Sequence, residues 1–210
     1  MYFILIFLLL ASTAMPAKAN PLPLPRTDFV VKSKGPEGSM FTYRHHDGKL
    51  RVDVKLAGIP IATTAIVDIS TRKVLALIGA PDSGMAVELD LNEAQFGLAP
   101  TSLDAKQVGS ATVAGEQCDL FETVAPPRKI AAKSVPPSKT ISCITPDGIT
   151  LRLEAVSNAG HQVVMEAIEI TRVRQDAKLF APPPGTKVIK APAGMAGLLG
   201  AISGAGSLKP

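Results

Sequence analysis

The sequence predicts a mainly β protein built from an antiparallel, hairpin-connected sheet, and three observations predict it. Turn signals recur every dozen residues or so from Thr27 onward, at Asp47-Gly48, Gly58-Ile59-Pro60, Asp82-Ser83-Gly84, Ala114-Gly115, Asp147-Gly148 and Asn158-Ala159-Gly160. β-branched runs lie between them and alternate. In KLRVDVKLAG, Leu50, Val52, Val54 and Leu56 share one parity and Lys49, Arg51, Asp53 and Lys55 the other, so one face is wet and the other buried. Helical periodicity is scarce, and the whole reads as about nine to eleven strands from Thr27 to Lys190 with few short helices.

The chain opens MYFILIFLLLASTAMPAKANPLPLP. An apolar run from Tyr2 to Ala14 followed by Ala17, Lys18 and Ala19 has the pattern of a signal-peptide core with its small-residue cleavage site, although no Lys or Arg precedes it. Residues 1–19 are therefore read as a signal peptide and Asn20 as the mature N-terminus. The run is shorter than the roughly 18 to 20 apolar residues that span a bilayer, and no cysteine follows it for lipid attachment. The expected product is a soluble periplasmic protein. Residues 20–26 read as a loose proline-rich lead without a packing partner, 27–190 as one domain, and 191–210 as a Gly/Ala-rich flexible tail with a faint apolar stripe (Met195, Leu198, Leu199, Ile202).

Two stretches within the domain suggest a turn or two of helix. LDLNEAQFG, Leu89 to Gly97, has Asp90 as its cap, and TSLDAKQV, Thr101 to Val108, has Thr101 or Ser102. Without Lys18 the basic side chains number 21 against 18 acidic, too mild an excess to argue for nucleic acid. Tryptophan is absent, so a base-stacking surface is not expected either.

The two cysteines, Cys118 and Cys143, sit in alternating stretches on either side of a loop rich in proline and lysine. A two-residue turn at Asp147-Gly148 sets Cys143 opposite Arg152 and Ile144 opposite Leu151. The turn at Asn158 to Gly160 sets Leu153 opposite Met165, Leu151 opposite Ala167 and Arg152 opposite Glu166. If the two cysteine segments are neighbours, Cys118 faces Cys143 and the hairpin tip is APPRKIAAKSVPP. An exported chain with one pair of cysteines in facing strands reads as a disulfide. A redox pair would need C-x-x-C or an activated lone thiol. A zinc site would need two more soft ligands, and His45 and His46 point to opposite faces while His161 sits at a turn, so all three read as surface histidines and no metal is expected.

The stretch from Pro126 to Lys139 carries Arg128, Lys129, Lys133 and Lys139 with no acid between them, either a solvated hairpin end or a contact for anionic headgroups. Nucleophile elbows, metalloprotease helices and phosphate loops are absent from the sequence, and Asp68, Asp82, Glu88 and Asp90 lie at strand ends or turns. The expectation is a protein that is not an enzyme and uses no cofactor.

VAGEQCDLFETV, then CITPDGITLRLEA, then MEAIEITRVRQDAKLFAPPPGTKVI together resemble the C-terminal half of periplasmic domains of unknown function related to the LolA-like superfamily, typified by the outer-membrane lipoprotein-sorting carrier. The elements of that resemblance are the Ala-Gly turn before Cys118, the step from Cys143 to Asp147-Gly148, and the closing LFAPPPG from Leu179 to Gly185. It covers roughly residues 27 to 190, the second half better than the first. It implies a strongly curved antiparallel sheet, a half-barrel, closed over an apolar cavity. The function so implied is binding or carriage of a lipid-like ligand, such as a lipid or lipoprotein acyl chain. If a ligand is held, the apolar strand face of Leu50, Val52, Val54, Leu56, Leu151, Leu153 and Met165, whose positions share one parity within their strands, lines or floors the pocket; otherwise these residues are ordinary core. The alternative is an interaction module docking on an envelope protein or the membrane surface.

Overall fold

The computed structural model describes residues 20–58, 63–77, 84–90, 104–125, 128–130, 133–135 and 138–191. The expected signal peptide, the tail beyond Ala191, most of the turns at Gly58 and Asp82, and the helical expectation at residues 91–97 lie outside them. The described strands are β1 (Asn20–Pro21), β2 (Phe29–Lys34), β3 (Met40–His46), β4 (Lys49–Lys55), β5 (Thr63–Asp68), β6 (Lys73–Leu77), β7 (Met85–Asp90), β8 (Asp104–Val113), β9 (Glu116–Ala125), β10 (Arg128–Ile130), β11 (Lys133–Val135), β12 (Ser138–Ile144), β13 (Thr150–Ser157), β14 (Gly160–Thr171) and β15 (Lys187–Lys190). Two single-turn 3-10 helices, Pro36–Gly38 and Ala177–Phe180, are the helical content among the described residues. Asp104 to Val108, expected in part as helix, is instead the start of the long strand β8.

Thirteen strands form one curved, open sheet in the order β1-β8-β9-β12-β13-β14-β2-β3-β4-β5-β6-β7-β15, and β10 and β11 form a separate ribbon. The strand number exceeds the expected range because β1, β15 and the ribbon lie in segments whose sequence does not alternate over a useful length. Neighbours pair antiparallel throughout except β15, which runs parallel to β7. That exception follows from its route: β15 arrives after the chain has crossed the sheet, not through a hairpin.

Direct opposition carries the core face across the sheet. Ile170, Val31, Tyr43, Val52, Ala65, Ala76, Val87 and Ile189 stand in one row. Phe29, His45, Leu50, Val67, Val74 and Leu89 form the next. Phe29, Val31, Leu50, Ala65, Val67, Val74, Ala76, Val87 and Leu89 of these rows join Val113, Cys118, Cys143, Ile149 and Leu151 in one buried cluster, with Tyr43, Ile170 and Ile189 packed against it. Each fully buried branched side chain contributes about 1.5–3 kcal/mol, so the alternation legible in KLRVDVKLAG is the main local source of stability.

The predicted registers hold where turns set them. Cys143 lies opposite Arg152, Leu153 opposite Met165 and Arg152 opposite Glu166, while a bulge after Cys143 moves Ile144 opposite Thr150 rather than Leu151. In β14, irregularities in pairing between Leu153 and Glu154 and again between Ala167 and Glu169 shift the parity. Met165, Ala167 and Ile170 therefore all reach the core face, while Val163 and Ile168 remain 41% and 50% exposed. Among the described residues nothing covers Val163 and Ile168, and the tail, one of the covers expected for this strand, lies outside them.

The lead is not loose. Asn20 and Pro21 pair with Ala105 and Asp104 at the sheet edge, a position that tolerates proline, and Leu22 is buried against Ala105, Ile144 and Phe121. The Arg26 amide donates to the Asp147 carbonyl at 3.1 Å. Gly148, with φ 87°, lies so close to the Leu24 carbonyl that a Cβ would run into it.

The segment from Arg172 to Gly185, which contains LFAPPPG, crosses the other face. The Gln175 amide donates to Asp28 at 2.9 Å, Arg51 Nη1 donates to the Leu179 carbonyl at 3.0 Å, and buried Phe180 packs with His46 at 5.6 Å between ring centroids. The crossing ends with the Lys187 amide on the Gly84 carbonyl at 2.6 Å.

Candidate functional site

The seven residues expected to line a concavity fall on β4 or just past its end and on β13 and β14, with β2 and β3 between them in the sheet. Register puts them on the same face. Val54 opposes Phe41, Phe41 opposes Ser33, and Ser33 opposes Ala167, which shares the side of Met165 and Leu153. Six of the seven are buried, with Leu50 at 9%, Val52 at 2%, Val54 at 6%, Leu151 at 0%, and Leu153 and Met165 at 4% exposure, while Leu56 is half-buried. A pocket wall must be reachable by a water-sized probe, and these six side chains are scarcely reachable at all.

Polar groups sit within that apolar face. Ser33 Oγ and Ser142 Oγ are buried without a hydrogen-bond partner, and Ser142 stands between Phe121 and Leu153. Burial pushes the Tyr43 phenol well above its usual range, so it stays neutral. His45 corrects the expectation of three surface histidines: it is 3% exposed, stacked on Phe29, with Nδ1 2.7 Å from the Thr27 carbonyl. Parity alone foretells this, since His45 and Leu50 oppose each other on the core face. His46 points the other way, to Asp28 at 2.9 Å, and His161 is exposed beside Glu154 at 3.1 Å.

Cys118 and Cys143 stand at disulfide distance, Cα atoms 5.4 Å apart, and both are buried. They are not directly opposed as expected. Cys143 faces Leu120, so the pair is diagonal by two residues, which the twist of adjacent strands accommodates.

The outer face is ionic. Arg152 holds Glu154 at 2.9 Å and Glu166 at 3.9 Å, Lys34 holds Glu166 at 3.1 Å, and Lys32 holds Glu169 at 2.8 Å. Arg44 and Arg51 oppose each other across β3 and β4, with Asp53 bound to both and accepting the Thr64 hydroxyl at 2.8 Å. Burial pushes the Asp53 carboxyl up, but hydrogen bonds from Arg51 and Thr64 and the two positive charges outweigh it and hold it below the usual range. At the rim, Arg172 forks onto Glu116 and Asp147, and Asp147 also accepts the hydroxyls of Thr145 at 2.6 Å and Thr27 at 3.3 Å. Sequence reading missed this knot, whose four elements share no local pattern.

The acids considered for chemistry are dispersed. Asp68 caps its own turn, held low by the Ser70 hydroxyl and the Thr71 amide, and Glu88 lies 3.6 Å from Lys73. Asp82 lies outside the described residues. Of the predicted headgroup contacts, Lys139 is 2.6 Å from Glu122, while Arg128, Lys129 and Lys133 fall on the β10–β11 ribbon. Ribbon pairs Arg128 with Val135, Lys129 with Ser134 and Ile130 with Lys133 continue the β9–β12 register past Ala125 and Ser138.

No family model matches the chain, and no curated protein matches it. Among solved structures it is similar to a chain of the crystal structure of MucB in complex with MucA(peri), at 16% identity and a TM-score of 0.38, covering 70% of this chain and 50% of that one. It is also similar to a chain of the Pseudomonas aeruginosa MucA/MucB complex, at 17% identity and a TM-score of 0.41, covering 79% and 59%. The chain thus spans between half and three fifths of the length of these neighbours.

Proposed function

We propose that this chain is an exported, non-catalytic module of the cell envelope that acts through its outer surface on an envelope partner, with the inside of the sheet serving as its own core. The observation that carries this reading is the burial of Leu50, Val52, Val54, Leu151, Leu153 and Met165 at 0–9% exposure. Burial of this degree favours a filled face over an open pocket wall. The outer surface has more to offer. Among the described residues β1 covers only Asp104 and Ala105 of β8, and Lys106 to Ser110 are exposed along that edge, where a partner strand can add. The bulge at Val108 restricts regular pairing to the residues after it.

Carriage of a lipid-like ligand has one observation in its favour, the unpaired hydroxyls of Ser33 and Ser142 within the same apolar face. A fluorescent fatty acid titrated into the mature chain separates the two readings. The interaction module takes up none, and Leu153→Ala lowers stability by about 2–5 kcal/mol as a core truncation does. Stoichiometric uptake, weakened by Leu153→Ala with the apo fold unchanged, overturns the proposal in favour of the carrier. Photo-crosslinkers at Ser110 and Val163 in cells then test the docking half, and adducts at neither position count against it.

A further inference from the structure

We propose that the β10–β11 ribbon seats the protein on an anionic phospholipid surface. Within the cell this rests on the reading that the chain is exported, since the surface meant is an envelope membrane.

The register isolates the ribbon. β9 and β12 pair as far as Ala125 and Ser138, whereas their outer neighbours stop earlier, β8 at Thr123 and β13 with Val156 opposite Lys139. β10 and β11 then pair only with each other among the described strands. They lie beyond the last rungs that anchor the hairpin to the sheet.

Positive charge accumulates there in the sequence, and part of the sheet's own charge is paired. Lys32, Lys34, Lys73, Lys139 and Arg152 on the sheet each sit within 4 Å of a carboxylate. Between Glu122 and Asp147 the sequence has no Asp or Glu, and Arg128, Lys129 and Lys133 fall in the middle of that stretch. The same register sets Arg128 opposite Val135 and Lys133 opposite Ile130, and at the hairpin's base Val124, 53% exposed, stands opposite Lys139.

Cations interleaved with branched aliphatic residues on a short arm fit the headgroup boundary of a bilayer, where ammonium and guanidinium groups meet phosphate and the aliphatic groups reach the acyl layer. An acidic protein surface would satisfy the charges but offers no apolar layer beneath them.

The test is co-sedimentation of the mature chain, Asn20 to Pro210, with phosphatidylglycerol-containing vesicles and with phosphatidylcholine vesicles. It compares a ribbon variant (Arg128→Ser, Lys129→Ser, Lys133→Ser) with a control of equal charge change on the sheet and the crossing segment (Lys55→Ser, Lys106→Ser, Lys178→Ser). Wild type and control should sediment with the anionic vesicles and not with the zwitterionic ones, and less so at high salt. The ribbon variant should bind about a hundredfold more weakly, which is about 3 kcal/mol at 1.4 kcal/mol per tenfold.

Equal loss in both variants would reduce the effect to net charge and overturn the proposal. So would retention on immobilised polyglutamate without vesicle binding, which assigns the ribbon to an acidic protein, and so would absence of vesicle binding by the wild type. Circular dichroism confirms that each variant is folded. Export is read separately: protein recovered from cells with Met1 intact would withdraw the compartment and leave the vesicle result standing.

Discussion

Arg172 binds Asp147 through two nitrogens, Nε at 2.8 Å from Oδ2 and Nη2 at 3.3 Å from Oδ1, while the same guanidinium spans both oxygens of Glu116 at 2.9 and 3.0 Å. One side chain thus ties the start of β9, the β12–β13 turn and the end of β14, and Thr27 brings the N-terminal lead to the same carboxylate. The Arg172 hydrogen bonds, against an upward push from partial burial and with help from the Thr145 hydroxyl, hold the Asp147 carboxyl down at about 2.

Acid should loosen this corner in a defined window. A carboxyl whose folded pKa is depressed contributes stability above its ordinary value of 3.8 and loses it as the pH falls toward about 2. Solvent screening at the rim reduces the contribution to about 1 kcal/mol. Arg172→Ala should lower stability by about 1–2 kcal/mol at neutral pH and flatten the stability profile between pH 4 and 2, a range of about two units around the cited shift. Urea melts of both proteins across that range check it, and parallel profiles would show that Asp147 is not the titrating group.

The disulfide predicts a larger effect with no pH signature. Cys118 and Cys143 enclose a separation of 25 residues, and closing a loop of that length contributes about 3.5 kcal/mol in the chain-entropy model. Cys143→Ser should lower the free energy of unfolding by about 2–5 kcal/mol. Native protein should show no reactive thiol until it is both reduced and denatured, because both cysteines are buried. A thiol count of two in native protein would contradict the bond.

How far the fold was legible depended on the range of the interaction. Alternation between turns placed β4, β13 and β14, and the turn at Asn158 to Gly160 set Leu153 against Met165 and Arg152 against Glu166. What escaped was non-local or irregular. Two shifts within β14 exchange faces without any glycine or proline to mark them, and the diagonal offset of Cys118 from Cys143 depends on sheet twist. The lead and the LFAPPPG segment act as straps over opposite sides of the sheet, and their partners lie more than a hundred residues away at Asp147, Asp28 and Arg51. In the candidate site the shared parity of Leu50, Val52 and Val54 could be read, but whether that face was lined or filled could not, because burial depends on what folds back over it.

The N-terminal strap yields a sharp substitution. Gly148 holds φ 87° where the lead passes over it, so Gly148→Ala both strains the backbone and drives a methyl into the Leu24 carbonyl. Displacing the strap also uncovers Leu22 from Ala105, Ile144 and Phe121. The expected cost is about 2–4 kcal/mol, and removal of residues 20–26 should cost a comparable amount and leave only the backbone strain of Gly148→Ala, about 1–2 kcal/mol, in the shortened chain. Additive losses in that combination would mean that Gly148 is constrained by its own turn rather than by the lead.

Asp53 offers a test of the outer face that does not touch the core. Arg44 and Arg51 stand directly opposite on β3 and β4, an arrangement of like charges that destabilises a sheet unless a counter-charge sits between them. Asp53 is that charge: it accepts Arg51 Nε at 3.0 Å and the Thr64 hydroxyl at 2.8 Å, and it also binds Arg44. The three charged side chains are each about a quarter exposed, at 27%, 23% and 26%, so water screens them incompletely. Asp53→Ala should therefore cost more than a surface ion pair and less than a fully buried one, about 2–3 kcal/mol. Adding Arg51→Met removes one of the two opposed cations, and the double variant should recover at least about 1 kcal/mol of the loss. Because the Asp53 carboxyl is held below its ordinary range, its contribution persists at neutral pH and fades only as the solution is acidified below that range. A double variant as unstable as the sum of the two single changes would show that Asp53 acts by hydrogen bonding to Thr64 alone and not by separating the arginines.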